Sequence, residues 1–248
     1  MCDFIKEKQD VLHNTKIVSY PDGSSRIVVA SCPIFCEPGW EKINKKETRP
    51  RVKKEQPGDT TRARRRAKAR LRDLARANNL SVFVTFTLDE TKINRYDVEE
   101  ITKKLNIWLD NRVRRKGLCY VLVPELHKDG AVHLHGLCND VLERVDGGHK
   151  TRQGRPVYNL PDWTYGFTTA VCIPPEEYAR TVSYITKYVT KSVDKVGGRW
   201  FYSGGALVQP EVSLSDMDFE DLDARALPIP DVGVVIKCAE CNTNKCSM

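Results

Sequence analysis

The sequence lacks any run of apolar residues long enough to cross a membrane, and residues 1–8 lack the apolar stretch of a secretory signal peptide. It also has no Gly-x-x-x-x-Gly-Lys-Ser/Thr motif, the phosphate-binding loop of ATP-driven motors. These absences argue against a membrane protein and against a built-in helicase motor. With a mean hydropathy of −0.47, they predict a cytoplasmic protein.

Cysteine is present, but its number does not suggest a disulfide framework. Nine cysteines are an odd number, and a chain without a secretory signal is expected to keep its thiols reduced or to use them as metal ligands. Cys238, Cys241 and Cys246 have part of the spacing of a zinc knuckle, which Cys32 or Cys36 would have to complete. We expect scattered reduced thiols rather than zinc at these positions.

Acidic residues are nearly absent from one short stretch of the chain. Residues 62–76 are crowded with arginine and lysine and contain a single acidic residue, Asp73. Clustered guanidinium groups suit phosphate, so the stretch predicts a nucleic-acid partner; a solvated helix face or a flexible basic arm is the alternative. The residues that we expect to contact DNA in this stretch are Arg64, Arg65, Arg66 and Arg70.

Hydrophobic periodicity divides the 248 residues into three regions. We predict an irregular N-terminal region (1–60), a folded domain (61–205) and an acidic, then cysteine-bearing C-terminal tail (206–248). Within the domain, the pattern predicts helices and strands in the order helix-strand-helix-strand-strand-strand-strand-helix. This order is typical of an α+β fold, in which helices pack on a central antiparallel sheet.

Histidine is scarce, with five in the whole chain, yet two of them flank Leu134. Side chains alternate between the two faces of a strand, so His133 and His135 point the same way and Leu134 points the other way. Two imidazoles on one face make half of a divalent-metal site. The alternative is a pair of half-exposed histidines on an ordinary strand.

The loop at residues 128–130 decides whether a carboxylate joins these histidines. A two-residue turn would place Glu125 on the opposite face, whereas a three-residue loop closed by Gly130 would place it opposite His133. In the second register, Glu125 is the candidate third ligand of Mn²⁺ or Mg²⁺, and zinc remains open. His127 would share that face or be an exposed hairpin residue.

Two tyrosines lie one turn apart on a predicted helix. Tyr184 and Tyr188, with Lys187 and Lys191, fall on the face opposite the apolar stripe that contains Ile185. A phenol is a poor nucleophile near neutral pH, and nearby ammonium groups favour the phenolate. The four side chains therefore predict a reactive patch; the alternative is an amphipathic helix whose tyrosines cover a neighbouring element.

Three motifs stand in a recognisable order: residues 83–88 (Phe-Val-Thr-Phe-Thr-Leu), 133–135 (His-Leu-His) and 184–191 (Tyr-Ile-Thr-Lys-Tyr-Val-Thr-Lys). Together they resemble the HUH endonuclease superfamily of rolling-circle replication initiators, over roughly residues 61–202. The doubled tyrosine is similar to initiators of small isometric single-stranded DNA phages. The rest is more similar to replication-associated proteins of filamentous phages and small plasmids.

The resemblance implies a five-stranded antiparallel sheet with the histidines on a central strand. It implies a divalent metal held by the histidine pair and a nearby polar side chain, here Glu125. It also implies that a tyrosine attacks a DNA phosphodiester, stays joined to the 5′ phosphate and releases a 3′ hydroxyl. On this resemblance Tyr188 ranks first as nucleophile, with Tyr184 as its partner.

The other motif residues receive supporting roles from the same resemblance. Lys187 and Lys191 would assist the phosphate or position the strand, and Thr85 and Thr87 would be structural or DNA-contacting. The resemblance thus implies a sequence-specific enzyme that nicks and rejoins single-stranded DNA to initiate rolling-circle replication through a 5′-phosphotyrosine. Its partners would be an origin hairpin, a host helicase and a host polymerase in a bacterial cell. The alternatives are a transposase or relaxase of the same superfamily, or a non-catalytic basic nucleic-acid-binding protein.

Overall fold

The computed structural model describes residues 12–36, 59–127, 129–191, 195–217, 227–229 and 233–238. The chain divides into two units, one formed by residues 56–209 and the other by residues 1–55 together with 210–248. Among the described residues, no helix combines the length and the apolar character that a membrane span requires.

The described helices are α1 (Asp59–Ala77), α2 (Val98–Lys116) and α3 (Pro175–Lys191). The strands are β1 (Thr15–Ser19), β2 (Ser25–Ala30), β3 (Val82–Leu88), β4 (Tyr120–Leu126), β5 (Val132–Cys138), β6 (Val145–Lys150), β7 (Pro156–Asn159), β8 (Gly166–Cys172), β9 (Tyr202–Gly204), β10 (Glu211–Ser215), β11 (Leu227–Ile229) and β12 (Gly233–Cys238). Asp97 begins α2 by accepting hydrogen bonds from two backbone N–H groups, and Gly117 ends it with a left-handed backbone.

The larger unit is built on a seven-stranded antiparallel sheet in the order β6-β7-β8-β3-β5-β4-β9. The predicted α+β class is confirmed, whereas the expected sheet of five strands is wrong. The added strands are β6, whose side chains are mostly exposed, and β9, which has three residues. Neither shows the alternation of apolar and polar residues by which a half-buried strand is read from sequence.

The smaller unit contains a second sheet in the order β10-β1-β2-β12-β11. Strands from the predicted N-terminal region (1–60) thus pair with strands from the predicted tail (206–248), which the sequence pattern had treated as separate segments. Cys238 ends β12, while Cys241 and Cys246 lie outside the described residues. The incomplete zinc spacing therefore stays a prediction.

Both faces of the seven-stranded sheet are covered. Helix α2 covers one face, with Leu105 and Trp108 packed among Phe86 and Leu134 in one apolar cluster. Helices α1 and α3 cover the other face, where Leu137 belongs to a second cluster. Since side chains alternate along β5, the histidines on either side of Leu134 lie on the α1–α3 face.

Candidate active site

The β4–β5 hairpin places Glu125 opposite His133 and Val123 opposite His135. Its loop has three residues: the backbone N–H of His127 donates to the carbonyl of Ala131 at 2.9 Å, and Gly130 has a φ of 87°. A left-handed backbone at this position favours glycine because other side chains strain it. The register with a three-residue loop is confirmed, and the carboxylate and the histidines share one face.

Two threonines of β3 hold the histidine rings from the neighbouring strand. Thr85 Oγ1 lies 3.1 Å from His135 Nδ1, and Thr87 Oγ1 lies 3.3 Å from His133 Nδ1. These bonds follow from the register, since each threonine is the direct β3 partner of its histidine. A hydrogen bond at Nδ1 orients an imidazole and leaves Nε2 for a ligand. Thr85 and Thr87 therefore have a structural contact; contact with DNA stays a prediction.

The other ring atoms of the histidines meet acidic and aromatic partners. His135 Nε2 lies 3.0 Å from Glu125 Oε2. The exposed ring of His127 stacks on His133, with centroids 3.7 Å apart and planes 15° from parallel. Burial lowers the pKa of His133, and the neighbouring imidazoles of His127 and His135 lower it further. His133 is thus held in its neutral form, the form that binds metals.

Helix α3 brings the two tyrosines to this cluster. The ring of Tyr188 stacks on His135, with centroids 4.5 Å apart and planes 16° from parallel, and its hydroxyl lies 2.5 Å from that of Tyr184. Tyr184 is 47% exposed, whereas Tyr188 is only 7% exposed. Burial, followed by the hydrogen bond to Tyr184, raises the pKa of Tyr188.

The prediction that both tyrosines lie on the face opposite the buried stripe is wrong for Tyr188. Tyr188 belongs to the buried cluster of the α1–α3 face together with Ile185. The reason is that α3 packs on both helix α1 and strands β4 and β5, so its buried arc is wider than a single stripe. Only Tyr184 and Lys187 have the predicted exposure.

The predicted cations lie on both helices of this face. Arg65, Arg66 and Arg70 of α1 are exposed, and the guanidinium of half-buried Arg64 lies 6.0 Å from the centre of the Trp200 ring. Lys191 ends α3, but its side chain lies outside the described residues. The structure thus places the basic helix and the tyrosine helix on the same face of the sheet as the histidines.

The side chains were tested for their fit to a metal ion. Among the described residues, no group of three or more histidine, cysteine, aspartate or glutamate side chains lies close enough to form a complete site. The donor chemistry nevertheless fits, since two imidazoles and a carboxylate suit a first-row divalent ion. The 3.0 Å between His135 Nε2 and Glu125 Oε2 is about the spacing of neighbouring ligands around an ion at ~2.1 Å.

The chain was then compared with known proteins. Residues 81–193 match the family model of the replication-associated protein ORF2. The matched segment runs from β3 through the histidine hairpin to the residues that follow α3, so it contains every element of this site. The match supports a role in replication initiation. Comparisons with curated proteins and with solved structures gave no match.

Proposed function

We propose that the chain nicks and rejoins single-stranded DNA, and that it initiates rolling-circle replication through a 5′-phosphotyrosine. The observation that carries the proposal is the stacking of Tyr188 on His135 within the segment that matches replication-associated proteins. A nucleophile and a pair of imidazoles that meet on one sheet face are the parts that phosphodiester cleavage requires.

The residues that would hold a divalent metal, Mn²⁺ or Mg²⁺, are Glu125, His133 and His135. Such an ion, when bound, polarises a phosphate oxygen and stabilises the charge that develops on it. The protein prepares these ligands by orienting both imidazoles through Thr85 and Thr87. Burial of His133 also keeps its ring neutral.

The proposed covalent step uses the hydroxyl of Tyr188. A bond forms between this oxygen and phosphorus, and the bond between phosphorus and the 3′ oxygen breaks, so the 3′ oxygen leaves and takes up a proton. Because the pKa of Tyr188 is raised, its proton must be removed as the attack proceeds. Tyr184, hydrogen-bonded to Tyr188 and exposed to solvent, can pass that proton outward.

The remaining side chains act on the phosphate and on rejoining. Lys187, exposed one position before Tyr188, would neutralise the phosphate, and Lys191 would do so one turn later. Rejoining reverses the step: the 3′ hydroxyl attacks the phosphotyrosine and releases the phenol. Tyr184, at hydrogen-bond distance from Tyr188, is placed to serve as the alternate nucleophile.

A covalent adduct tests the proposal. Single-stranded oligonucleotides tiling both strands of the DNA that encodes the chain are labelled at either end and incubated with the protein and Mn²⁺. A label at the 3′ end should remain on the protein, whereas a 5′-labelled fragment should be released. Tyr188→Phe keeps the ring that stacks on His135 and should lower adduct formation by about 10³-fold or more.

Two results would contradict the proposal. One is an adduct that persists in the double variant Tyr184→Phe/Tyr188→Phe, because no phenol of α3 would then be required. The other is tight oligonucleotide binding with no adduct from any tile, which would favour a non-catalytic DNA-binding protein. Circular dichroism of each variant verifies that the fold is retained.

A further inference from the structure

A second polar site lies in the larger unit, between helix α1 and the segment that precedes β9. It is a pocket of about 430 Å³, lined in part by Arg70, Lys195, Arg199, Trp200 and Ser203. We call it the cationic pocket. Its size lies within the range of small-ligand sites, and none of its residues takes part in the proposed covalent step.

A tight turn places two of these cations. The N–H and carbonyl groups of Val196 and Arg199 exchange hydrogen bonds of 3.2 and 3.1 Å. Between them, Gly197 and Gly198 have φ values of 57° and 74°, which is the backbone of a type I′ turn. Lys195 and Arg199 thus flank a rigid two-glycine turn and line the same pocket as Arg70 of α1.

The cations of the pocket differ from a well-paired arginine elsewhere in the unit. Arg112, half-buried on α2, lies 3.5 Å from the carboxylate of Asp162. Arg70, Lys195 and Arg199 form no ion pair with any described residue. Three positive charges around one pocket repel each other when no anion is present, so a bound anion would relieve that repulsion.

Trp200 forms part of the pocket wall. Its ring is approached by the guanidinium of Arg64 at 6.0 Å and by the ammonium of Lys195 at 5.9 Å. Trp200 is 8% exposed, and its buried Nε1 donor has no hydrogen-bond acceptor among the described residues. A buried donor without an acceptor is rare in proteins, and a ligand oxygen that reached it would satisfy it.

We propose that the cationic pocket binds a phosphate group, supplied by the backbone of single-stranded DNA. Guanidinium groups pair with phosphate oxygens, and Lys195 adds a point charge beside them. The inference rests on the proposed function for the source of the phosphate, since a DNA substrate presents many phosphates near the α1–α3 face. A free phosphate has the same chemistry and could occupy the same pocket.

Charge-matched variants test this site. Lys195→Gln/Arg199→Gln removes two charges from the pocket, and Arg114→Gln/Arg115→Gln removes two exposed charges from α2, on the other face of the sheet. Binding of a fluorescent single-stranded oligonucleotide is measured by anisotropy in EDTA over a range of salt. We expect the pocket variant to bind about 10-fold more weakly, with a salt slope shallower by about 0.7, and the α2 variant to bind like the parent.

A second assay distinguishes the sources of phosphate. Thermal unfolding is followed in inorganic phosphate and in chloride at equal ionic strength. If phosphate stabilises the parent and not the pocket variant while oligonucleotide affinity is unchanged, the pocket binds free phosphate. No effect in either assay, or equal losses of oligonucleotide affinity in the two variants, would overturn the proposal. Since neither assay depends on cleavage, a failure to find the tyrosine adduct leaves this result standing.

Discussion

The two faces of the seven-stranded sheet are built from the same strands but have different chemistry. Under α2, Phe86 and Leu134 point into a wholly apolar cluster. Under α1 and α3, the neighbours of Leu134 on either side, His133 and His135, meet polar partners and Tyr188. One strand therefore contributes to stability on one face and to chemistry on the other, and residues adjacent in sequence have separable roles.

The apolar face gives the site a rigid support. Phe86 packs between Trp108 and Trp163, with ring centroids 5.5 and 4.8 Å away. Aromatic pairs at such distances stabilise a fold beyond the area that they bury. Because Phe86 lies between Thr85 and Thr87 on β3, this packing also determines where the two hydroxyls meet the histidines.

The largest expected effect separates the faces by activity. His133→Ala removes a proposed metal ligand, and we expect DNA cleavage in Mn²⁺ to fall by about 10²- to 10³-fold. Oligonucleotide binding in EDTA should be retained, because the arginines that contact phosphate are unchanged. Unchanged cleavage by this variant would remove His133 from the proposed mechanism.

The next effect separates the faces by stability. Leu134→Ala, one residue away on the opposite face, should lower the free energy of unfolding by about 2–5 kcal/mol because it leaves a cavity in the apolar cluster. Urea denaturation measures this loss, and His133→Ala serves as the control with a smaller expected change. Equal losses of stability in both variants would contradict the division of roles between the faces.

A smaller effect is expected where a hydroxyl orients an imidazole. Thr85→Val keeps the side-chain shape but removes the hydrogen bond to His135 Nδ1, so the Mn²⁺ concentration needed for half-maximal cleavage should rise about 10- to 100-fold. Thr169→Val is the matched control, because Thr169 is the exposed β8 partner of Thr85 on the same face. A shift of the same size in the control would show that general strand packing is responsible.

The smallest effect compares two buried phenols. The hydroxyl of Tyr178 lies 2.6 Å from the carbonyl of Ala75, which joins α3 to the last turn of α1. Tyr178→Phe should lower the free energy of unfolding by about 1 kcal/mol because that buried acceptor loses its donor. Tyr120→Phe, on the apolar face, should change it by less than about 0.5 kcal/mol, since its hydroxyl has no hydrogen-bond partner among the described residues. Urea denaturation of both variants tests the difference.

Much of the hairpin could be predicted from local sequence, and the partners of its side chains could not. A glycine that closes the loop and the alternation of β5 were sufficient to place Glu125 opposite His133. The bond from Thr85 to His135 joins residues fifty positions apart, and no turn signal specifies that pairing. The burial of Tyr188 depends on how α3 packs against its neighbours, which the periodicity of one helix does not reveal.

By itself, the sequence determined the α+β class, the alternation that puts both histidines on one face, and the three-residue loop. These are local properties, set by backbone sterics and by the two-residue period of a strand. Only the tertiary structure decided the seven-strand order, the sheet shared by the N- and C-terminal segments, and the stacking of Tyr188 on His135. Those features depend on packing between distant segments, where shape and burial outweigh the preferences of any one segment.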